Sequence, residues 1–297
     1  MKTALLSTFA LALAFVGCTR TEGNGQPAPS GSASSTSVMQ EKSSLQLKGS
    51  DTMVILGQRW AEGFMKENPA VSVQVTGGGS GTGIAALING TTDICESSRP
   101  MKDKEKEDLK AKRGQSAVEI KVALDALAVY VNDKNPITEI AIPDLGKIYK
   151  GDVTGWKDVG GPAQKIVLYG RENNSGTYSF FKEHVLENKD FAASTQTLAG
   201  TSAVAAAVKG DPLGIGYGGI AYSEGIRVLS VKKDAASPAV KPSLATAQSG
   251  EYPLARNLYF YTAGEPTGAA KRFVEWVKSE PGQKVIEAVG YYPLPKN

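Results

Sequence analysis

One local design occurs three times in this chain: a β-like run ends in a turn of serine, threonine and glycine, and a helix begins at once. The turns are Ser50-Asp51-Thr52, Ser80-Gly81-Thr82-Gly83 and Ser175-Gly176-Thr177, the last preceded by Arg171. The first residues of a helix carry unpaired backbone N–H groups and the positive end of the helix dipole. Serine and threonine hydroxyls add donors, and glycine lets the backbone approach a ligand closely. Such ends converging on one cleft can hold a dehydrated tetrahedral anion with few formal charges. Arg171 supplies a planar fork suited to oxyanions. Any one turn alone reads as an ordinary N-cap; three of matching chemistry beside an arginine read as a site.

The turns sit in an alternating α/β pattern that starts at residue 45. Leu45-Gln46-Leu47-Lys48 and the series Val71, Val73, Val75 alternate as strands do, while Leu56, Trp60 and Phe64 recur every four residues as on a helix face. Ile84, Leu87 and Ile88 mark a second helix. Residues 101–113 are rich in Lys, Asp and Glu and read as a solvated helix without a site. Leu127 to Val131 and Leu258 to Tyr261 are β-rich runs far apart in sequence, and between them lies an α/β segment with its own strand, Lys165 to Tyr169. The stretch Ala269 to Ala288 reads as helical, with Phe273, Trp276 and Val277 on one face. The expected architecture is two α/β domains joined by two crossover strands. Domain I comprises 45–126 and 256–297, and domain II comprises 127–255. Two such lobes close on a small ligand by bending at the crossovers.

Ahead of that pattern, Lys2 is followed by an apolar run from Ala4 to Val16 and then by Gly17-Cys18. One lysine, a short apolar run and a small residue read as a secretory signal over 1–17, too short to span a bilayer comfortably. Phe15-Val16-Gly17-Cys18 resembles a bacterial lipobox, which implies acylation of Cys18, although Phe15 stands where Leu is usual. A plain signal peptide releasing a soluble protein is the other reading. After Cys18, the segment to residue 44 is Ser-, Gly-, Pro- and Thr-rich and reads as a flexible tether. The expected location is the periplasm or cell surface, with the membrane touched through the lipid anchor only. Of the two cysteines, Cys95 then stands alone and reads as a small buried thiol.

Several functions are disfavoured by what the chain lacks. A formal net charge of +3 and no basic–aromatic run give no support for a nucleic-acid partner. The single histidine, His184, cannot form a histidine pair for a metal, and no cofactor is expected. Gly214-Ile215-Gly216-Tyr217-Gly218-Gly219 matches a dinucleotide fingerprint only formally, lacking a helix directly after it, and reads as a glycine-rich strand and turn. A serine hydrolase at Ser80 or Ser175 would need a base, and neither serine lies in a Gly-x-Ser-x-Gly elbow. An adhesin or signalling lipoprotein on the same fold is a third class.

Gly49-Ser50-Asp51-Thr52, Gly78 to Gly83, Ser97-Ser98-Arg99-Pro100 and Arg171 to Thr177 follow one another in the order of the motifs of PstS-type phosphate-binding proteins, which the chain resembles from residue 45 onward. The resemblance extends to Gly214–Tyr222 and Tyr252–Thr262. It implies a two-lobed, hinge-closing periplasmic binding protein fold of type II, monomeric, that captures inorganic phosphate for a phosphate ABC permease and catalyses nothing. Ligand contacts carry over to Thr52, Ser80, Arg171, Ser175, Gly176 and Thr177, with Ser50, Gly81 and Thr82 in the same turns. One position departs: members of the family place an aspartate where this chain has Ser98, and that aspartate accepts the phosphate hydrogen. Asp51 is expected to take over as acceptor, with Arg99 adding a second positive charge. The departure keeps sulfate, molybdate or tungstate open as alternative anions.

Overall fold

Alternation on the first strand sets the first layer. In the computed structural model, which describes residues 43–295, β1 (Ser43–Gly49) buries Leu45 and Leu47. Helix α1 (Val54–Glu67) buries Leu56, Trp60 and Phe64 against that sheet. Next come β2 (Val71–Thr76), α2 (Ser80–Asn89) and β3 (Ile94–Ser97), with β1 pairing in parallel with both strands. Helix α3 (Asp103–Arg113) is the solvated helix the charges predict, and Leu109 is its buried residue. Cys95 is buried in β3 as expected, and burial pushes its thiol far up.

The strand that follows, β4 (Ala117–Val131), is the longest. After it come β5 (Glu139–Ala141), α4 (Ile142–Lys150), β6 (Val167–Arg171), α5 (Gly176–His184), β7 (Gln196–Leu198), α6 (Thr201–Gly210) and β8 (Gly214–Gly219). The chain continues through β9 (Arg227–Val228), β10 (Ser230–Lys232), α7 (Leu244–Ser249), β11 (Ala255–Ala263), α8 (Gly268–Lys278) and α9 (Glu280–Val289). The main sheet runs β2-β1-β3-β11-β4-β8-β6-β7, with β9 also on β4, and β5 pairs separately with β10. Gly214–Gly219 is a buried strand in this sheet, as its sequence suggested.

Strand β4 changes partner along its length. It pairs antiparallel with β11 as far as Ala126 and with β8 from Leu127 onward. The buried apolar side chains follow the same division. One core joins Leu45, Trp60, Phe64 and Val122 to Phe260, Phe273 and Ile286. The other gathers Leu127, Tyr149, Trp156, Phe181, Tyr217 and Leu254. The mixed α/β fold thus has two lobes, with β4 and β11 crossing between them.

The stretch read as helical from Ala269 is two helices. Ser279 caps both, and Pro281 lies in the first turn of α9. A proline has no N–H to give to the carbonyl of Val277, and its ring would collide there, so the helix restarts. Gln283 donates its side-chain amide to that carbonyl at 2.9 Å. Among the described residues no helix is long and apolar enough to cross a membrane. The apolar run, Cys18 and the tether up to residue 42 lie outside the described residues; Ser43 and Ser44, read as the end of the tether, instead open β1 and pair with Val71 and Ser72.

Candidate anion-binding site

The fold brings all three turns to one place. Ser50, Thr52, Ser80, Ser98, Arg171, Ser175 and Thr177 are buried, although each is polar. The Ser50 hydroxyl donates to Ser98 Oγ at 2.9 Å. Ser98 donates its backbone N–H to Ser80 Oγ at 3.1 Å, and the two hydroxyl oxygens lie 3.4 Å apart. Across the cleft, Thr52 Oγ1 and Thr177 Oγ1 lie 2.7 Å apart. Gly176 fits between these groups because it has no side chain: a Cβ there would overlap Ser80 Oγ and stand 2.7 Å from Ser98 Oγ. Ser175 caps α5, accepting from the N–H groups of Thr177 and Tyr178, which leaves its own hydrogen for a ligand.

Arg171 ends β6 inside this cluster. Its Nη1 donates to Thr201 Oγ1 at 2.8 Å, and its Nη2 donates to Asp51 Oδ2 at 2.7 Å. Nε lies 3.5 Å from Glu172 Oε2. A guanidinium has five N–H donors, so each terminal nitrogen keeps a second hydrogen for an incoming anion. Asp51 also accepts from the Gly78 N–H at 2.7 Å. Its carboxylate is therefore held between Arg171 and the glycine turn, where it aims the guanidinium. Each oxygen takes one of these bonds and keeps a second lone pair, as the expected role of hydrogen acceptor requires.

Arg99 departs from the expectation. Both terminal nitrogens bind Glu105 on α3, at 2.8 and 2.7 Å, and Nη1 also reaches the Pro100 carbonyl. Burial raises the Glu105 carboxyl, but the bonds from Arg99 and the Lys102 N–H, with the charges of both residues, together hold it below the usual range. The second positive charge is neutralised by a helix that no local motif connects with the site. Thr82 and Gly81 lie at the rim of the cluster. Asn174 donates to Thr82 Oγ1 and to the Gly78 carbonyl, and Gly81 N–H donates to the Asn174 carbonyl. These bonds join the two sides of the cleft.

Four further residues shape the site. Tyr222 donates to the Asp51 carbonyl at 2.8 Å, and Tyr291 donates to the Thr52 carbonyl at 2.6 Å. Arg256 donates to Thr177 Oγ1 at 3.0 Å and binds Asp125 through Nε and Nη2. Burial pushes the Asp125 carboxyl up while Arg256 pulls it down. These residues lie far from the turns in sequence; Tyr222 and Arg256 fall in the two later stretches of the resemblance, whereas no local motif marks Asp125 or Tyr291. Just beneath the site, Glu96 is fully buried, both its side-chain oxygens lack a hydrogen-bond partner, and burial drives its carboxyl well above the usual range.

Formal charge nearly cancels here, since Asp51 and Glu172 oppose Arg171 and Asp125 opposes Arg256. Attraction for an anion must come largely from the N-terminal ends of α1, α2 and α5 and from hydroxyl donors. Among the described residues no cluster of His, Cys, Asp and Glu could hold a metal. His184 places Nδ1 2.9 Å from the Phe180 carbonyl and stacks on that ring, within its own helix.

Comparison with known proteins agrees with this geometry. The model of the PBP superfamily domain matches residues 27–281. The phosphate-binding protein PstS of Pseudomonas aeruginosa is 34% identical over 264 residues, covering 83% of this chain and 82% of that protein. PstS of Bacillus subtilis is 34% identical over 296 residues, covering 99% and 95%. A Clostridium perfringens substrate-binding protein, solved with bound phosphate, superposes with a TM-score of 0.78 at 25% identity, covering 85% of this chain and 100% of that one. An ABC-type phosphate transport receptor from Vibrio cholerae gives 0.69 at 27% identity, with 84% and 100% covered. With the three turns gathered in one buried cluster and relatives of this kind along most of its length, the chain belongs to the PBP superfamily and, within it, to the PstS family of phosphate-binding proteins.

Proposed function

We propose that this protein binds inorganic phosphate outside the cytoplasmic membrane and delivers it to a phosphate ABC importer. The observation that carries the reading is the closed, nearly neutral cluster of Ser50, Thr52, Ser80, Ser98, Ser175 and Thr177 around Arg171. These buried hydroxyls bond to one another, and an oxyanion can replace those contacts with charge-assisted bonds. Each such bond contributes about 1.5–3 kcal/mol net, so several suffice for micromolar or tighter capture. The lobes, taken as 45–126 with 256–297 and 127–255, open to admit the anion and close to bury it. The closed form is what the importer recognises, and reopening there releases the ion.

Ser98 is the acceptor for the phosphate hydrogen in this reading. Its oxygen has two lone pairs, only one of which takes the Ser50 hydrogen. A hydroxyl lacks the charge by which an aspartate would repel sulfate, so selectivity rests on the hydrogen bond alone. The protein acts as a monomer without catalysing a reaction, held to the membrane by acylated Cys18 and the tether that leads from it to β1. Equilibrium dialysis of ligand-stripped protein with labelled phosphate, in competition with sulfate and molybdate, tests the proposal. Displacement by unlabelled phosphate alone supports it; equal displacement by sulfate or molybdate would make the protein a general oxyanion receptor. Replacing Cys18 with Ser should abolish incorporation of labelled fatty acid, and unchanged incorporation contradicts the anchor.

A further inference from the structure

Arg256 and Asp125 face each other across β11 and β4, one residue short of the rung where β4 leaves β11 for β8. The pair is buried, with Arg256 Nε and Nη2 donating to Asp125 Oδ2 at 2.9 and 2.8 Å. Asp125 Oδ1 accepts from the Ile220 N–H at 3.0 Å, just past the end of β8. The same Nη2 donates to Thr177 Oγ1, which lies 2.7 Å from Thr52 Oγ1. The ion pair thus lies on both crossover strands, touches the second lobe at Ile220 and Thr177, and reaches Thr52 of the first lobe only by way of Thr177.

We propose that Arg256 is a positioning residue of the anion site, which sets the direction of the Thr177 and Thr52 hydroxyls so that a hydrogen, and not a lone pair, faces the anion. The proposal rests on the phosphate reading above. A guanidinium can only donate, so Thr177 must accept from it. The two threonines together own two hydroxyl hydrogens. One of them closes the bond between the threonines, in either direction, and the other is left to point outward. The guanidinium behind Thr177 repels hydrogens from its own side and reinforces that direction. Without it, the Asp125 carboxylate, which shares Nη2 with Thr177, becomes an acceptor that turns the threonine hydrogen away from the anion. Because the guanidinium stands where the strands cross, this direction is imposed only when the lobes bring Thr52 and Thr177 together. Arg256 therefore links donor orientation to closure without touching the ligand.

The test is a cycle of phosphate affinities measured by calorimetry on the purified full chain. The Asp125→Asn/Arg256→Met double variant removes the donor without leaving a lone buried carboxylate, and Thr177→Val removes the hydroxyl through which Arg256 acts. Thermal melting without phosphate checks that each variant is folded. The double variant should weaken phosphate binding by about tenfold or more, the loss of one charge-assisted contact, yet by less than about twofold in the Thr177→Val background, since coupled residues are not additive. Arg256→Lys, which keeps a charged donor opposite Asp125, should retain binding within a few-fold when Thr177 is present, and it provides the comparison if the neutral pair does not fold. Equal losses with and without the Thr177 hydroxyl, or a Lys variant as impaired as the Met variant, would make Arg256 a structural residue and overturn the proposal. Wild-type protein giving no phosphate heat would instead overturn the phosphate reading, and the proposal with it.

Discussion

Gly176 shows how little space the closed site leaves. A methyl group there would overlap Ser80 Oγ and Ser98 Oγ, which lie across the cleft. Overpacking of this kind costs about 1–3 kcal/mol, and here only the closed form bears it. Gly176→Ala should therefore weaken phosphate binding roughly 10- to 100-fold while leaving the melting temperature without phosphate unchanged; a drop in that temperature with normal affinity would show the clash is not confined to closure. Asp51 makes a different case. Because its carboxylate holds Arg171 and the Gly78 N–H, Asp51→Asn should lower phosphate affinity by about tenfold, the loss of one charge-assisted bond. The preference for phosphate over sulfate should survive. A collapse of that preference would restore Asp51 to the role of hydrogen acceptor.

At the scale of elements, the strand–turn–helix units were legible because each is local: the period of the apolar residues and the Ser/Thr/Gly turn lie within one stretch of chain. Leu56, Trp60 and Phe64 marked α1, and Ser175-Gly176-Thr177 marked the start of α5. How those turns are held was not legible: Tyr222 and Arg256 lie in stretches of the resemblance, but they, Tyr291 and Asp125 meet the site only through sheet pairing and helix packing. The fate of Arg99 was hidden for the same reason. Its spacing beside Ser98 suggested a ligand charge, whereas the start of α3 brings Glu105 onto it. Glu96 was equally silent, since nothing in the local sequence singles it out. Its carboxyl is raised in the fold by burial without a hydrogen-bond partner. A group with a raised folded value contributes stability below its unfolded value and loses it as pH rises through the folded one. Glu96→Gln should then stabilise the protein relative to wild type at pH 8 and not at pH 4, with the gap growing by up to about 1.4 kcal/mol per pH unit across that window. Urea unfolding at the two pH values reads this out; a gap of equal size at both would mean that Glu96 is ionised in the fold.

For the whole molecule, the two apolar cores and the change of partner along β4 make closure a motion of lobes about two strands. Asn174 latches that motion from the rim, bonding the Gly78 carbonyl and Thr82. Asn174→Ala removes two neutral hydrogen bonds present only when the lobes meet, about 0.5–1.5 kcal/mol each. The loss should be about 5- to 150-fold, expressed in faster phosphate release with unchanged association in stopped-flow fluorescence. Slower association would place the bond in the encounter step instead. Surface charge has little part in this scheme, because the site's own charges nearly cancel and helix ends and hydroxyls do the binding. Affinity should accordingly change little with ionic strength.

The central claim is that this closed, hydroxyl-lined cluster is a phosphate site. Calorimetric titration of phosphate, then sulfate, into protein stripped of ligand by unfolding and refolding tests it most directly. One phosphate should bind per chain, at micromolar concentration or tighter, with no heat from sulfate. Absence of phosphate heat, or equal binding of the two anions, would contradict it.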